Sequence, residues 1–257
     1  MLEVIDKGQC TDAHRVPLLF VHGNWQAAWC WDKHFLDFFA EKGFRAAAIS
    51  LRGHGQSTSS KPFLLCSVTD YVDDVLKAAD RLGGNPVVIG HSNGGFVVQR
   101  YLEVRRAPAA VLLASMPSRR IQRLRVTIRM IRRYPRAAIR SAMGGSRKPG
   151  AARGTERAVN MPSKGAFVST VESSPARPRA ESDRPNGLSA RAAPVTSPLL
   201  ILGAEYDQSV VVREVQSTAR AYRTQAEFFP MGHNMMLEVG WDDVAARIYS
   251  WLESKGM

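Results

Sequence analysis

The sequence predicts an α/β protein, a doubly wound and mostly parallel sheet with a helical, partly irregular cap insertion. Three observations predict it. Short apolar runs alternate with segments of helical periodicity from Val16 to Ser115. That alternation breaks at Met116 and resumes at Pro198. Strands separated by helices of this length need crossover connections, which are right-handed and leave the strands parallel.

The elements follow in order. Val16 to His22 is a continuous apolar run, the pattern of a strand buried on both faces. Trp31 to Lys42 has helical periodicity and stops at Gly43, a residue suited to the turn that ends a helix. Phe44 to Ser50 is a second strand. Thr69 to Leu82 is a helix with Thr69 or Asp70 as its N-cap and Gly83-Gly84 behind it. Strands at Pro86–Gly90 and Ala109–Ala114 enclose a helix running from about Asn93 to Arg105. After the break come a strand at Pro198–Gly203, a helix from Ser209 to Arg223, a strand at Gln225–Phe229 and an amphipathic helix from Trp241 to Glu253. The division expected is a core in two parts, residues 1–115 and 198–257, with a cap insertion at 116–197.

At 257 residues the chain is long enough for one such domain with an insertion. The N-terminus lacks a basic region followed by an apolar run, and no stretch reaches the roughly 18 apolar residues of a membrane span, so a cytoplasmic protein is expected. Cys10, Cys30 and Cys66 form no pairwise motif, which fits a reducing compartment. No histidine or cysteine pair has metal-ligand spacing, and no glycine-rich phosphate loop occurs; neither metal nor cofactor is expected. The net charge is +12, yet between Pro117 and Asn160 twelve arginines and one lysine face a single acid, Glu156. The excess therefore belongs to the insertion and not to the protein at large.

The insertion has two characters. Ile121, Leu124, Ile128 and Ile131 form one helical stripe ringed by arginines. From Gly144 to Ala193 the composition turns to Ser, Arg, Ala, Pro and Gly, which predicts a poorly ordered stretch. The stripe is expected to pack on the core, with Leu124 and Ile128 roofing a substrate pocket walled by Trp25 and Trp29. The alternative is contact between the basic helix and an anionic membrane surface. Nucleic acid is not an expected partner, because the arginines are not interleaved with stacking aromatics and only Tyr134 is near.

The chemistry-bearing pattern is Gly90-His91-Ser92-Asn93-Gly94, directly after a strand and before a helix. A serine on a tight strand-to-helix turn presents its hydroxyl above the sheet, and the N–H of Asn93 points at a carbonyl oxygen bound there. A serine hydroxyl needs a base. His233, in the loop after the last strand, is the candidate, while His22 reads as a structural histidine. Asp207 follows the strand ending at Gly203, at the sheet edge where open parallel sheets place their sites. Glu205 is the rival acid. The loop His22-Gly23-Asn24-Trp25 is placed to supply a second oxyanion N–H, assigned to Asn24 before Trp25.

With the His-Gly loop, Leu51-Arg-Gly-His-Gly-Gln-Ser57, Gly90-His-Ser-Asn-Gly-Gly95, the Asp207 loop and Gly232-His233, the chain resembles the α/β-hydrolase superfamily of carboxylesterases, lipases and relatives. The resemblance covers residues from about 16 to 115 and 198 to 254. It implies an eight-stranded sheet with a cap inserted after the sixth strand, and a small-molecule ester as substrate, cleaved by a Ser92, His233, Asp207 triad through an acyl-enzyme. The N-terminal segment is too short for a full leading hairpin, and the second half of the cap lacks the apolar helices usual there. Aspartate-nucleophile members are excluded by Ser92. The alternatives are a carbon–carbon bond hydrolase or cofactor-free lyase of the same fold, against which Asn234 stands where such enzymes tend to carry Trp, and a non-catalytic ligand-binding protein, against which the intact triad stands.

Overall fold

The computed structural model describes residues 1–61, 65–133, 135 and 195–257. The expected irregular stretch from Gly144 to Ala193, and Tyr134, lie outside them. The described strands are β1 (Val4–Lys7), β2 (Leu18–Val21), β3 (Ala46–Ile49), β4 (Val87–His91), β5 (Ala110–Leu113), β6 (Leu199–Ala204) and β7 (Ala226–Phe229). The helices are α1 (Trp29–Asp32), α2 (Phe35–Glu41), α3 (Val68–Arg81), α4 (Asn93–Tyr101), α5 (Arg120–Arg133), α6 (Val212–Ala221) and α7 (Trp241–Glu253).

One sheet of seven strands has the order β1-β3-β2-β4-β5-β6-β7. Every neighbouring pair is parallel except β1 with β3. The eight strands expected by resemblance are thus seven among the described residues, because the N-terminal segment supplies a single antiparallel edge strand in place of a hairpin. β5 and β6 pair directly, Ala110 opposite Leu199 and Leu113 opposite Leu202, so the long segment between them leaves and re-enters the sheet at two adjacent strands.

Strand residues alternate between two apolar clusters, as the two-residue period of a pleated strand requires. Leu19, Val21, Ala47, Ile49, Val88 and Leu112 pack with α3, α4 and α6 on one face. Leu18, Phe20, Ala46, Ala48, Val111 and Leu113 pack with α1, α2 and α7 on the other. Both faces are covered, which explains why the strands read as unbroken apolar runs.

Two local expectations are corrected. The helix expected from Trp31 to Lys42 is two helices, broken at His34, whose backbone leaves the helical region at φ −145° and whose ring stacks on Trp241 at 4.5 Å. The N-cap of α3 is Ser67, not Thr69 or Asp70. Ser67 Oγ accepts from the Asp70 N–H and Asp70 Oδ2 accepts from the Ser67 N–H at 2.8 Å, a reciprocal box that satisfies two orphan donors. Asp70 and Asp74, one turn apart, also hold Arg52 at 3.0 and 2.7 Å and so fix the loop after β3.

Candidate active site

Ser92 sits between β4 and α4 with φ 53° and ψ −117°, a conformation that L residues avoid at a cost of about 1–3 kcal/mol. The surroundings hold it there. Its N–H donates to Leu113 O on β5, and its carbonyl accepts from the N–H groups of Phe96 and Met116. The turn fits only because Gly94 is bare: a Cβ there would collide with the backbone carbonyl oxygens of Val21 and His22. The result is a serine side chain placed above the C-terminal edge of the central strands.

The structure brings Ser92, His233 and Asp207 together from positions far apart in the chain. Ser92 Oγ lies 2.9 Å from His233 Nε2, and His233 Nδ1 lies 2.7 Å from Asp207 Oδ2. The second oxygen of Asp207 accepts from the N–H groups of Ser209 at 2.7 Å and Val210 at 3.0 Å. The Asp207 side chain is completely buried and that of His233 nearly so. Burial pushes the His233 imidazole pKa down, but the Asp207 carboxylate, by charge and by hydrogen bond, raises it above the ordinary value, helped by Glu238. Glu205, the rival acid, is exposed to solvent.

The loop after β2 passes the serine closely; a Cβ on Gly23 would stand 3.0 Å from Ser92 Cβ. Trp25, next to Asn24, adopts a left-handed φ of 62°. The side-chain amide nitrogen of Asn24 is buried with no partner among the described residues, a donor left available for a bound molecule. Asn93 opens α4, and the N–H groups of a first helical turn have no intrahelical acceptor. His22 is fully buried and neutral. Its Nδ1 donates to Gly23 O, its Nε2 accepts from the Leu51 N–H, and burial drives its pKa down to about 3, in keeping with a structural histidine.

The expected pocket residues do not form one wall. Trp25 is buried in the cluster that includes Phe96, Val126 and Val210, whereas Trp29 packs half-buried against the cluster on the opposite sheet face. Leu124 and Ile128 are about half exposed at 48 % and 46 %, so the roof expected of them is corrected. The helix α5 instead buries Val126 and Met130. These are the residues it turns toward α6 when Arg129 forms a bidentate pair with Glu214 at 2.9 Å and donates to Ser209 O.

Several site residues escaped sequence reasoning. His91 Nε2 donates to the carbonyl of His233 at 2.8 Å, and its Nδ1 lies 3.1 Å from Gln26 Oε1. Gln26 in turn donates to Asn234 Oδ1. The carboxylate of Glu238 accepts from the N–H groups of Gly232 and Asn234, on either side of His233. Together these contacts fix the histidine loop. His91 was visible only as the variable residue of the serine motif; Gln26 and Glu238 carry no spacing signal. Among the described residues no cluster of three His, Cys, Asp or Glu could hold a metal, and no helix is long and apolar enough to cross a membrane.

The family model described as the alpha/beta hydrolase family matches residues 18–247. The chain is 37 % identical over 108 residues to a bifunctional esterase/perhydrolase of Acinetobacter calcoaceticus, covering 39 % of this chain and 37 % of that protein. It is 36 % identical over 107 residues to a non-heme chloroperoxidase of Burkholderia pyrrocinia, again 39 % of this chain and 37 % of that protein. The matches thus span under two-fifths of the length of these curated relatives. Among solved structures, the enol-lactonase of Burkholderia xenovorans superposes with a TM-score of 0.67 at 16 % identity, over 98 % of this chain and 96 % of that one, which is a likeness of fold.

Proposed function

The chain belongs to the alpha/beta hydrolase family, and from that premise we propose that it hydrolyses a small-molecule carboxylic ester through an acyl-enzyme on Ser92. The carrying observation is the continuous relay from Ser92 Oγ to His233 Nε2 at 2.9 Å and from His233 Nδ1 to Asp207 at 2.7 Å. In this reading His233 takes the serine proton as Oγ attacks the ester carbonyl. The tetrahedral oxyanion is held by the backbone N–H groups of Asn24 and Asn93. His233 then protonates the leaving alcohol. A water deprotonated by the same histidine releases the acid. Asp207 keeps the imidazole in the tautomer with Nδ1 protonated and stabilises the imidazolium. The esterase named among the relatives supports the same substrate class. None of the three cysteines forms a disulfide, which fits a reducing compartment such as the cytoplasm.

A fluorophosphonate probe with a series of p-nitrophenyl esters tests this. Wild type is expected to take the label at Ser92 and to turn over an ester. Ser92→Ala is expected to lose both, with turnover falling on the order of a millionfold. Unlabelled wild-type protein that still binds an ester without cleaving it would favour the ligand-binding alternative. Full turnover by Ser92→Ala would overturn the mechanism.

A further inference from the structure

The helix α5 has two apolar faces. Val126 and Met130 are buried in the core, 0 % and 6 % exposed. On a helix of 3.6 residues per turn the stripe Ile121, Leu124, Ile128 and Ile131 falls on the opposite side. Those four are 64, 48, 46 and 49 % exposed. A single exposed Leu or Ile is ordinary; a contiguous row of four marks an interaction surface.

Beside the stripe, Arg125, Arg129, Arg132 and Arg133 of α5 and Arg213 of α6 line a recess of about 460 Å³ together with Ile128. Arg129 is neutralised by Glu214. Among the described residues no carboxylate pairs with Arg125, Arg132, Arg133 or Arg213. Four like charges gathered around one recess repel each other, and an anion seated among them relieves that repulsion.

We propose that this face of α5 docks on an anionic phospholipid surface, with the stripe entering the headgroup–acyl boundary and the recess receiving a phosphate-bearing headgroup. Charge and polarity choose this occupant. A second copy of the helix would bring six arginines against six, since α5 carries no acid. Residues 136–194 of the chain hold eleven basic residues against four acidic ones, so they too match the recess poorly. A nucleic acid would satisfy the arginines but leave four aliphatic side chains in water. An anionic bilayer satisfies both at once.

The test is cosedimentation of the full chain with vesicles of phosphatidylcholine, with and without phosphatidylserine. Binding is expected only where phosphatidylserine is present. It should weaken as salt rises from about 0.1 M to about 1 M, which shortens the Debye length from about 10 Å to about 3 Å. Replacing Arg125, Arg132 and Arg133 together by Gln is expected to weaken binding by roughly tenfold or more. Leu124→Ser with Ile128→Ser is expected to weaken binding with Tm lowered by no more than a few degrees, the cost of serine at two half-exposed helical positions. Equal binding to both vesicle types, or undiminished binding by either variant, would overturn the proposal. So would a Tm lowered by about 10 °C or more in the serine variant, which would mean that the chain's own residues cover the stripe, or self-association that the serine variant abolishes. Binding of inorganic phosphate in the recess without vesicle binding would make it a site for soluble anions and overturn the docking as well.

Discussion

Replacing Asp207 by Asn is a change of one atom whose effect can be worked out from its neighbours. One carboxylate oxygen is held by two backbone N–H donors, Ser209 at 2.7 Å and Val210 at 3.0 Å, and the other faces His233 Nδ1 at 2.7 Å. An asparagine must place its carbonyl oxygen on the two backbone donors, because its amide hydrogens would otherwise confront them in a buried site. The amide nitrogen then faces His233 and donates to Nδ1. That forces the imidazole into the tautomer protonated at Nε2, which can only donate to Ser92 Oγ and cannot take its proton. The expected loss in kcat is about 10⁴-fold, the scale of the same substitution in serine proteases, or about 5.5 kcal/mol of barrier. The pH profile gives a second readout. Wild-type activity should rise with pH through the His233 pKa, which Asp207 holds above the ordinary 6.5. With that charge removed and the burial kept, the rising limb should move to lower pH. The assay is kcat against pH on a p-nitrophenyl ester for wild type, Asp207→Asn and Glu205→Gln. Exposed Glu205 should tolerate its change within a few-fold. An Asp207→Asn enzyme within about tenfold of wild type, or a crippled Glu205→Gln, would show that Asp207 is not the acid that orients His233.

The other predictions concern stability. His22, His54 and His91 are buried, and burial depresses their pKa values, to about 3 for His22 and about 4 for His54. Their stabilising contribution is present above the unfolded value of 6.5 and is lost as pH falls below it, at up to about 1.4 kcal/mol per pH unit for each. Tm should therefore fall from pH 6.5 downward, before carboxylates titrate near about pH 4; a flat Tm over that window would refute it. His233 has the opposite sign, its contribution being full below 6.5 and lost as pH rises through its folded value. Gly94→Ala should destabilise by about 1–3 kcal/mol or more in urea melts, because the Cβ meets the Val21 and His22 carbonyls. Helix propensity alone would give a gain of up to about 1 kcal/mol, so a more stable variant would refute the clash.

The sequence revealed most where local pattern and tertiary burial agree. The apolar runs of β2, β4, β5 and β6 were legible because both sheet faces are covered, and α7 matched its expected span from Trp241 to Glu253. Ser92 was legible because a strained turn needs small neighbours at fixed offsets. His233 and Asp207 were legible as positions in an order, but their contact with Ser92 depends on strands paired far apart in sequence. What stayed hidden depends on such pairing entirely. Nothing near Glu238 marks it as the acceptor for the N–H groups beside His233, and nothing near Gln26 marks its bond to Asn234. The stripe on α5 was legible as amphipathic, yet its direction was not. Two apolar residues on the other side, Val126 and Met130, took the buried place because Arg129 and Gln122 anchor the helix on α6 through Glu214 and Ser217.

The direct pairing of β5 with β6 bears on how freely this protein can change. Eighty-five residues separate the two strands in the chain, yet they are hydrogen-bonded neighbours in space. Closing a loop grows costly only with the logarithm of its length. Lengthening a crossover of about 20 residues fourfold adds about 1.2 kcal/mol of lost chain entropy. The sheet is therefore nearly indifferent to the length of what is strung between Met116, whose N–H holds the Ser92 carbonyl, and Pro198. Mutation can exchange that stretch, shorten it or give it a new face while the strands keep their register and Ser92 its strained turn. Such changes press on the rest of the molecule where Val126 and Met130 meet the core cluster.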